Sequence, residues 1–285
     1  MNTLKTGLLL TALTLLLVLG GRAIAGPHGM TLGLVLAVMM NGVAYFFSDK
    51  IALAASGAQP VTREQAPRLY QVLERLCGKA NLPMPKLYVI PQAAPNAFAT
   101  GRNPRHASVA VTQGLLELMN DEELEGVIAH ELSHVRNYDI LTTSVAATLA
   151  GAITWIAEMG RWAMIFGGFG GGRDEEDRGG GIAGLLMLIL APLAALLIQL
   201  GISRQREYAA DASGARMVGH PYGLISALEK LGAYNKKIPM DVSPATASLF
   251  IVAPLSAGQV FTSLFSTHPP LERRIATLEK MVVTR

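Results

Sequence analysis

Ala129-His130-Glu131-Leu132-Ser133-His134 is the stretch on which the fold turns. It is H-E-x-x-H, and its surroundings read as helix. Upstream, Asn120-Asp121-Glu122-Glu123 supplies an N-cap, acids in the first turn and a glutamate at the third helical position, a capping-box pattern. Two histidines four apart project from one helix face, near enough to ligate one metal ion. Glu131 follows the first of them and is placed to reach a water on that ion. A catalytic zinc needs a third protein ligand and an open position. The motif is short enough to arise by accident, so the rest of the chain has to supply the third ligand.

The other four histidines compete poorly. His28 lies in an apolar turn, His106 between strands, His220 at a helix break and His268 before Pro269-Pro270. Ser203-Arg204-Gln205-Arg206-Glu207-Tyr208-Ala209-Ala210-Asp211 offers more. Glu207 and Asp211 are i and i+4 and share a helix face. One could ligate while the other holds a ligand histidine by its second ring nitrogen. In isolation Glu-x-x-x-Asp is more often a solvated helix face. Here it directly follows an uncharged segment that returns to the side of the first motif, which favours the site.

The chain has 285 residues, 51% hydrophobic and only 16% charged, where a soluble domain carries about 25% charged residues. That deficit points to a membrane. Residues 4–25 and 30–47 are apolar stretches joined by Gly26-Pro27-His28-Gly29, the pattern of a transmembrane hairpin. A cleaved signal ending at Ala23-Ile24-Ala25 competes, but the immediate second stretch favours the hairpin. Residues 140–157 and 182–202 are again uncharged and make a second hairpin around a glycine-rich linker, residues 167–181, with Asp174-Glu175-Glu176-Asp177 at its centre. Its first arm is near the lower length limit for spanning, so a core helix pair is the alternative. The organisation is then an N-terminal hairpin (1–47), a first catalytic part (48–139), the second hairpin (140–202) and a second catalytic part (203–285). Lys5, Lys50, Arg136, Arg204 and Arg206 flank the ends that face the soluble parts, a modest bias placing both termini and the catalytic parts in the cytoplasm.

Within 48–139 the periodicity predicts a helix over 68–79 with Pro67 at its first position, and strands over 86–90, 96–101 and 108–112. Helices are predicted from Arg204 to Val218 and over 221–231, a loop over 237–260, and a final amphipathic helix from Pro269-Pro270 carrying Leu271, Ile275, Leu278 and Met281. The fold class is mostly α with a small β-sheet and about four hydrophobic helices. The net charge of +3 comes with no basic run or face, which excludes a nucleic-acid binder. The single cysteine, Cys77, permits no intrachain disulfide and sits with Leu73 and Leu76 as a small buried hydrophobe.

Four motifs in order resemble one family. His130-Glu-Leu-Ser-His-Val-Arg-Asn-Tyr-Asp139, Ser203 to Asp211, Asn96-Ala-Phe-Ala-Thr-Gly101 and Ser266-Thr-His-Pro-Pro-Leu-Glu-Arg-Arg-Ile275 are similar to those of the HtpX-type membrane zinc endopeptidases, gluzincins related to the CAAX prenyl-protein endopeptidases. The likeness covers nearly the whole chain, including both apolar hairpins. It implies an integral membrane zinc-metallopeptidase fold in the bacterial inner membrane, facing the cytoplasm. It implies one Zn2+ held by His130, His134 and Glu207, with Glu131 as general base. Asp211 would hold a ligand histidine, and Asp139 would be a helix-face partner for a ligand. His268 would steady the oxyanion, and Asn96, Ala97, Phe98 and Ala99 would form the edge strand that pairs with substrate. Its substrates would be polypeptides.

If the H-E-x-x-H helix continued into the apolar run at Ile140, the metal would lie roughly 10 Å from the membrane boundary. The expected substrates are therefore membrane proteins, or chains emerging near the membrane surface, with cleavage of damaged or misassembled membrane proteins at the cytoplasmic face as the expected role. Three rivals remain. A CAAX endopeptidase would share the chemistry but call for more hydrophobic segments than four. A scaffold with a structural metal leaves Glu131 without a use. A transporter would need more intramembrane polar groups than Arg22 and Gln199.

Overall fold

The computed structural model describes residues 2–167, 203–235, 237, 240, 242, 244–252 and 269–283. The chain is mostly helical. A helical run, α1 (Asn2–Ala55), breaks at Ala25 and Gly26. Gly26 has φ +60° and ψ −141°, a backbone conformation open only to glycine, and it reverses the chain. The two arms fold back on one another. Asn41 Nδ2 donates to the Leu10 carbonyl (3.2 Å) and to Thr14 Oγ1 (2.9 Å) across them. The second arm runs on to Ala55, past the end of its apolar stretch. There Ala52 and Leu53 join a cluster with Ile90, Phe98 and Phe250.

A four-stranded mixed sheet follows, built from β1 (Gln59–Pro60), β2 (Lys86–Ile90), β3 (Ala97–Gly101) and β4 (Ala107–Thr112). Its order is β1-β2-β4-β3, with β2 parallel to β4 and β3 antiparallel to it. β3 is thus the last strand, and its outer side is turned toward the helices. α2 (Pro67–Ala80) starts on Pro67 and ends where Asn81 takes a left-handed φ of 53°. α3 (Gln113–Leu118) leads into α4 (Asp121–Arg136), which carries the H-E-x-x-H.

α4 is the central helix, and its middle is buried on every side. Leu124, Val127, Ile128, Leu132 and Val135 pack with Leu73 and Leu76 of α2. On its other flanks lie α6 (Arg204–Val218) and α7 (Tyr222–Asn235). Gly214 of α6 is a requirement of that packing, since a Cβ there would come within 3.0 Å of the His130 backbone nitrogen. α8 (Pro244–Ala247) and α9 (Leu271–Val283) complete the described chain.

The expected capping box is present. Glu123 N donates to Asn120 Oδ1, and Glu123 Oε2 accepts from Asn120 N, both at 2.9 Å. The same carboxylate accepts from Ser226 Oγ (2.6 Å) and Lys230 Nζ (2.7 Å) of α7. Burial opposes its charge, but these donors hold it below the usual carboxylate range. A carboxylate depressed in the folded state contributes stability above its unfolded pKa, and that contribution is lost as pH falls through the folded value. Glu123→Gln should therefore cost about 1–2 kcal/mol at pH 7. Thermal unfolding in detergent should show a gap between the two proteins at pH 7 that narrows at pH 3, and a gap independent of pH would contradict this account.

The helix does not continue into the apolar run. α4 ends at Arg136, Tyr138 takes a φ of 59°, and α5 (Asp139–Gly167) starts afresh. The 10 Å estimate along one continuous axis therefore does not hold. Instead the first residue of α5, Asp139, lies directly against His134. Leu141, Val145 and Leu149 of α5 meet Leu9 and Leu13 of α1, and Thr6 and Thr142 share a hydroxyl hydrogen bond of 3.0 Å. Only 25–55 is both long and apolar enough to cross a membrane among the described residues, with shorter apolar helices over Thr6–Arg22 and Asp139–Ile153. Leu32, Val35, Val38, Met39 and Phe46 are left exposed on it. The second arm of the expected second hairpin, 182–202, lies outside the described residues.

Candidate metal centre

α4 presents His130 and His134 on one face, and α6 brings Glu207 to them. Their donor atoms form a compact group. The two Nε2 atoms are 3.2 Å apart, and oxygens of Glu207 lie 3.6 Å from His130 Nε2 and 3.5 Å from His134 Nε2. Ligands about 2.0–2.1 Å from a tetrahedral ion stand about 3.3 Å from one another, so the spacing fits a metal.

The remaining ring nitrogens are engaged by carboxylates. His130 Nδ1 lies 2.9 Å from Asp211 Oδ1, and His134 Nδ1 lies 3.1 Å from Asp139 Oδ2. Donation through Nδ1 leaves each Nε2 lone pair aimed inward. Asp211 comes from one turn beyond Glu207 on α6. Asp139 comes from the first residue of α5, because the break at Tyr138 folds that residue back toward the histidine. Each aspartate is backed by an arginine. Arg274 of α9 grips Asp211, and Arg206 Nε lies 3.6 Å from Asp139 Oδ1.

Glu131 is buried beside the ligands, and Ala99 of β3 gives its carboxylate a backbone hydrogen bond. Burial pushes its carboxyl up to about 7. Burial also opposes charge on His134, yet Glu207, Asp139 and Glu131 lift it to about 9. Four buried carboxylates, those of Glu131, Asp139, Glu207 and Asp211, lie with two guanidinium groups, the buried one of Arg274 and the partly buried one of Arg206. With both histidines neutral, as metal ligation requires, and all four carboxylates ionised, the excess is two negative charges, which one divalent cation balances, and buried charge is costly unless balanced. The donor set and the charge together fit a divalent metal.

A cavity of ≈ 20 Å³ opens on the group, lined among others by Ala99, Glu131, Thr143, Arg206 and Phe250. That is room for about one water. Of the four residues expected in the edge strand, Ala99 lines it and the other three do not. Asn96 Nδ2 donates to the Val252 carbonyl (2.8 Å), the Ala97 carbonyl accepts from Ile251 N (2.9 Å), and the Phe98 ring meets Phe250 edge-on at 5.0 Å. The outer side of β3 thus holds a segment of the same chain, 250–252, alongside its bond to Glu131. His268 lies outside the described residues.

Sequence reasoning missed Arg206 and Arg274. Arg206 stands next to Glu207 and left no separate signal. Arg274 did leave one, as a charged residue on the apolar stripe of Leu271, Ile275 and Leu278.

A buried acid beside a three-ligand metal group, walled by an apolar helix that packs on an exposed apolar hairpin, defines a membrane-bound metallopeptidase. The chain belongs to peptidase family M48, whose model matches residues 63–282. It is 58% identical over 278 residues to the "Protease HtpX homolog" of Desulfatibacillum aliphaticivorans, covering 97% of this chain and 89% of that one. It is 53% identical over 284 residues to the protein of the same description from Syntrophotalea carbinolica, covering 99% and 100%. Among solved structures it resembles the S. mikatae protein Ste24p, with a TM-score of 0.55 at 20% identity. That alignment covers 98% of this chain and 65% of Ste24p, and it shows a shared fold.

Proposed function

We propose that the chain is a zinc-dependent endopeptidase of the bacterial inner membrane that cleaves damaged or misassembled membrane proteins at the cytoplasmic face. One observation carries the catalytic half of this reading. The Nε2 atoms of His130 and His134 and the Glu207 carboxylate lie 3.2–3.6 Å apart with the buried Glu131 carboxylate beside them. In this reading His130, His134 and Glu207 hold the ion, while Asp211 and Asp139 hold the two rings. Bound zinc supplies a Lewis acid that acidifies water and polarises a carbonyl.

Glu131 takes the proton of the attacking water and passes it to the leaving amine. The Ala99 N–H, bonded to that carboxylate, orients it. His268 steadies the developing oxyanion. Residues 96–99 receive an extended substrate by strand addition, and segment 250–252 has to yield at Ala97 for that to happen. The narrow cavity excludes bulk water from the acid and the ligands.

Four apolar segments, in hairpins over 1–47 and 140–202, anchor catalytic parts 48–139 and 203–285. The flanking positive charges favour a cytoplasmic site. Because α5 begins in the site and is uncharged over 140–157, scissile bonds are reached close to the membrane surface. A membrane-inserted substrate with an exposed cytoplasmic loop should therefore be cleaved faster by the bilayer-reconstituted protein than soluble unfolded casein. Equal rates would count against the membrane-protein assignment.

A further inference from the structure

Arg274 is the one lysine or arginine that is fully buried among the described residues. A guanidinium is expensive to enclose, so its partners have to account for it. Nε donates to Asp211 Oδ2 at 2.8 Å and Nη2 to Asp211 Oδ1 at 2.7 Å, a two-pronged grip on one carboxylate. Nη1 donates to the Ile251 carbonyl at 2.8 Å and lies 3.8 Å from Glu207 Oε2. The grip fixes the plane of the Asp211 carboxylate. The Oδ1 held by Nη2 is also the atom 2.9 Å from His130 Nδ1. Rotation of that carboxylate would turn the His130 ring and move its Nε2.

We propose that Arg274 is a positioning residue for the metal centre. From α9 it locks the Asp211 carboxylate, and through it aims the His130 Nε2 lone pair at the ion. Its bond to Ile251 ties the same guanidinium to the segment that lines the cavity and lies along β3. The proposal rests on His130, His134 and Glu207 being the metal ligands.

Lysine in place of Arg274 keeps the charge but offers a point donor that cannot hold both carboxylate oxygens in one plane. The test uses full-length protein in detergent, stripped of metal and titrated with Co2+ against a chromophoric chelator, with the visible ligand-field bands recorded. R274K should bind Co2+ about 10- to 100-fold more weakly than wild type, the range for loss of a residue that orients a ligand. Its bands should be shifted while its circular dichroism matches wild type. In a D211N background the same substitution should weaken binding less than it does in wild type, because the arginine acts chiefly through that carboxylate, although Nη2 also lies 3.5 Å from His130 Nδ1 and Nη1 3.8 Å from Glu207 Oε2. R274K with wild-type affinity and bands would overturn the proposal. So would an R274K loss as large in D211N as in wild type, since that describes a structural role independent of Asp211. Wild-type protein that takes up no Co2+ would overturn the ligand assignment, and the proposal with it.

Discussion

Glu207→Ala is expected to strip the protein of its metal. Glu207 is the only one of the three donors supplied by α6, and it faces both Nε2 atoms across 3.5–3.6 Å. Its loss leaves two histidines from a single helix and removes one negative charge from the enclosed set. A residue that only orients a ligand contributes about 10- to 100-fold in affinity, so loss of a ligand should exceed about 100-fold. Peptidase activity should fall to background at micromolar zinc and recover little on addition of more. The check is zinc affinity by chelator competition beside activity. Full occupancy in the variant would refute the ligand assignment. The backbone of α6 is fixed by the Gly214 contact and by Asp211, so the fold itself should survive.

Glu131→Gln should separate chemistry from metal binding. The glutamine keeps the shape and the bond from Ala99 but cannot accept the proton of the attacking water. General-base catalysis contributes about 10²- to 10⁴-fold, so kcat should fall by roughly 10³-fold or more while KM for a given polypeptide changes little. All three metal donors, His130, His134 and Glu207, stay in place, so the variant should still bind one metal ion. Retained turnover in steady-state kinetics would mean that another group is the base.

Much of this centre was legible because its parts are local. The two histidines and Glu131 lie within one turn and a half of helix, and the capping box that starts that helix is a four-residue pattern. The Glu207 and Asp211 pair follows the same rule, although only the family resemblance distinguished ligand from supporting residue. Strands 86–90, 96–101 and 108–112 show to within a residue in short runs of apolar, aromatic and β-branched residues between turn signals. What escaped depends on chain partners far apart. β1 is two residues long and exists only by pairing with β2. The edge position of β3 follows from the parallel pairing of β2 with β4, which no run of residues announces.

The break between α4 and α5 escaped for another reason. Tyr138 takes a left-handed φ that a tyrosine does not advertise, and the turn is justified by what it delivers, Asp139 against His134. Arg274 stands on a helix whose pattern is dominated by its apolar residues, Leu271, Ile275 and Leu278. The self-contact of 250–252 with β3 lay in a stretch that reads as loop. In each case the deciding contact joins residues distant in sequence.

The central claim is that one catalytic zinc sits between His130, His134 and Glu207 with Glu131 as base. It is tested most directly by metal content and peptidase activity measured on the same detergent-purified preparations of wild type and Glu131→Gln, with an unfolded protein as substrate. The account predicts one zinc per chain in both and activity in wild type only. Activity in a preparation without zinc, or equal activity in the two proteins, would contradict it.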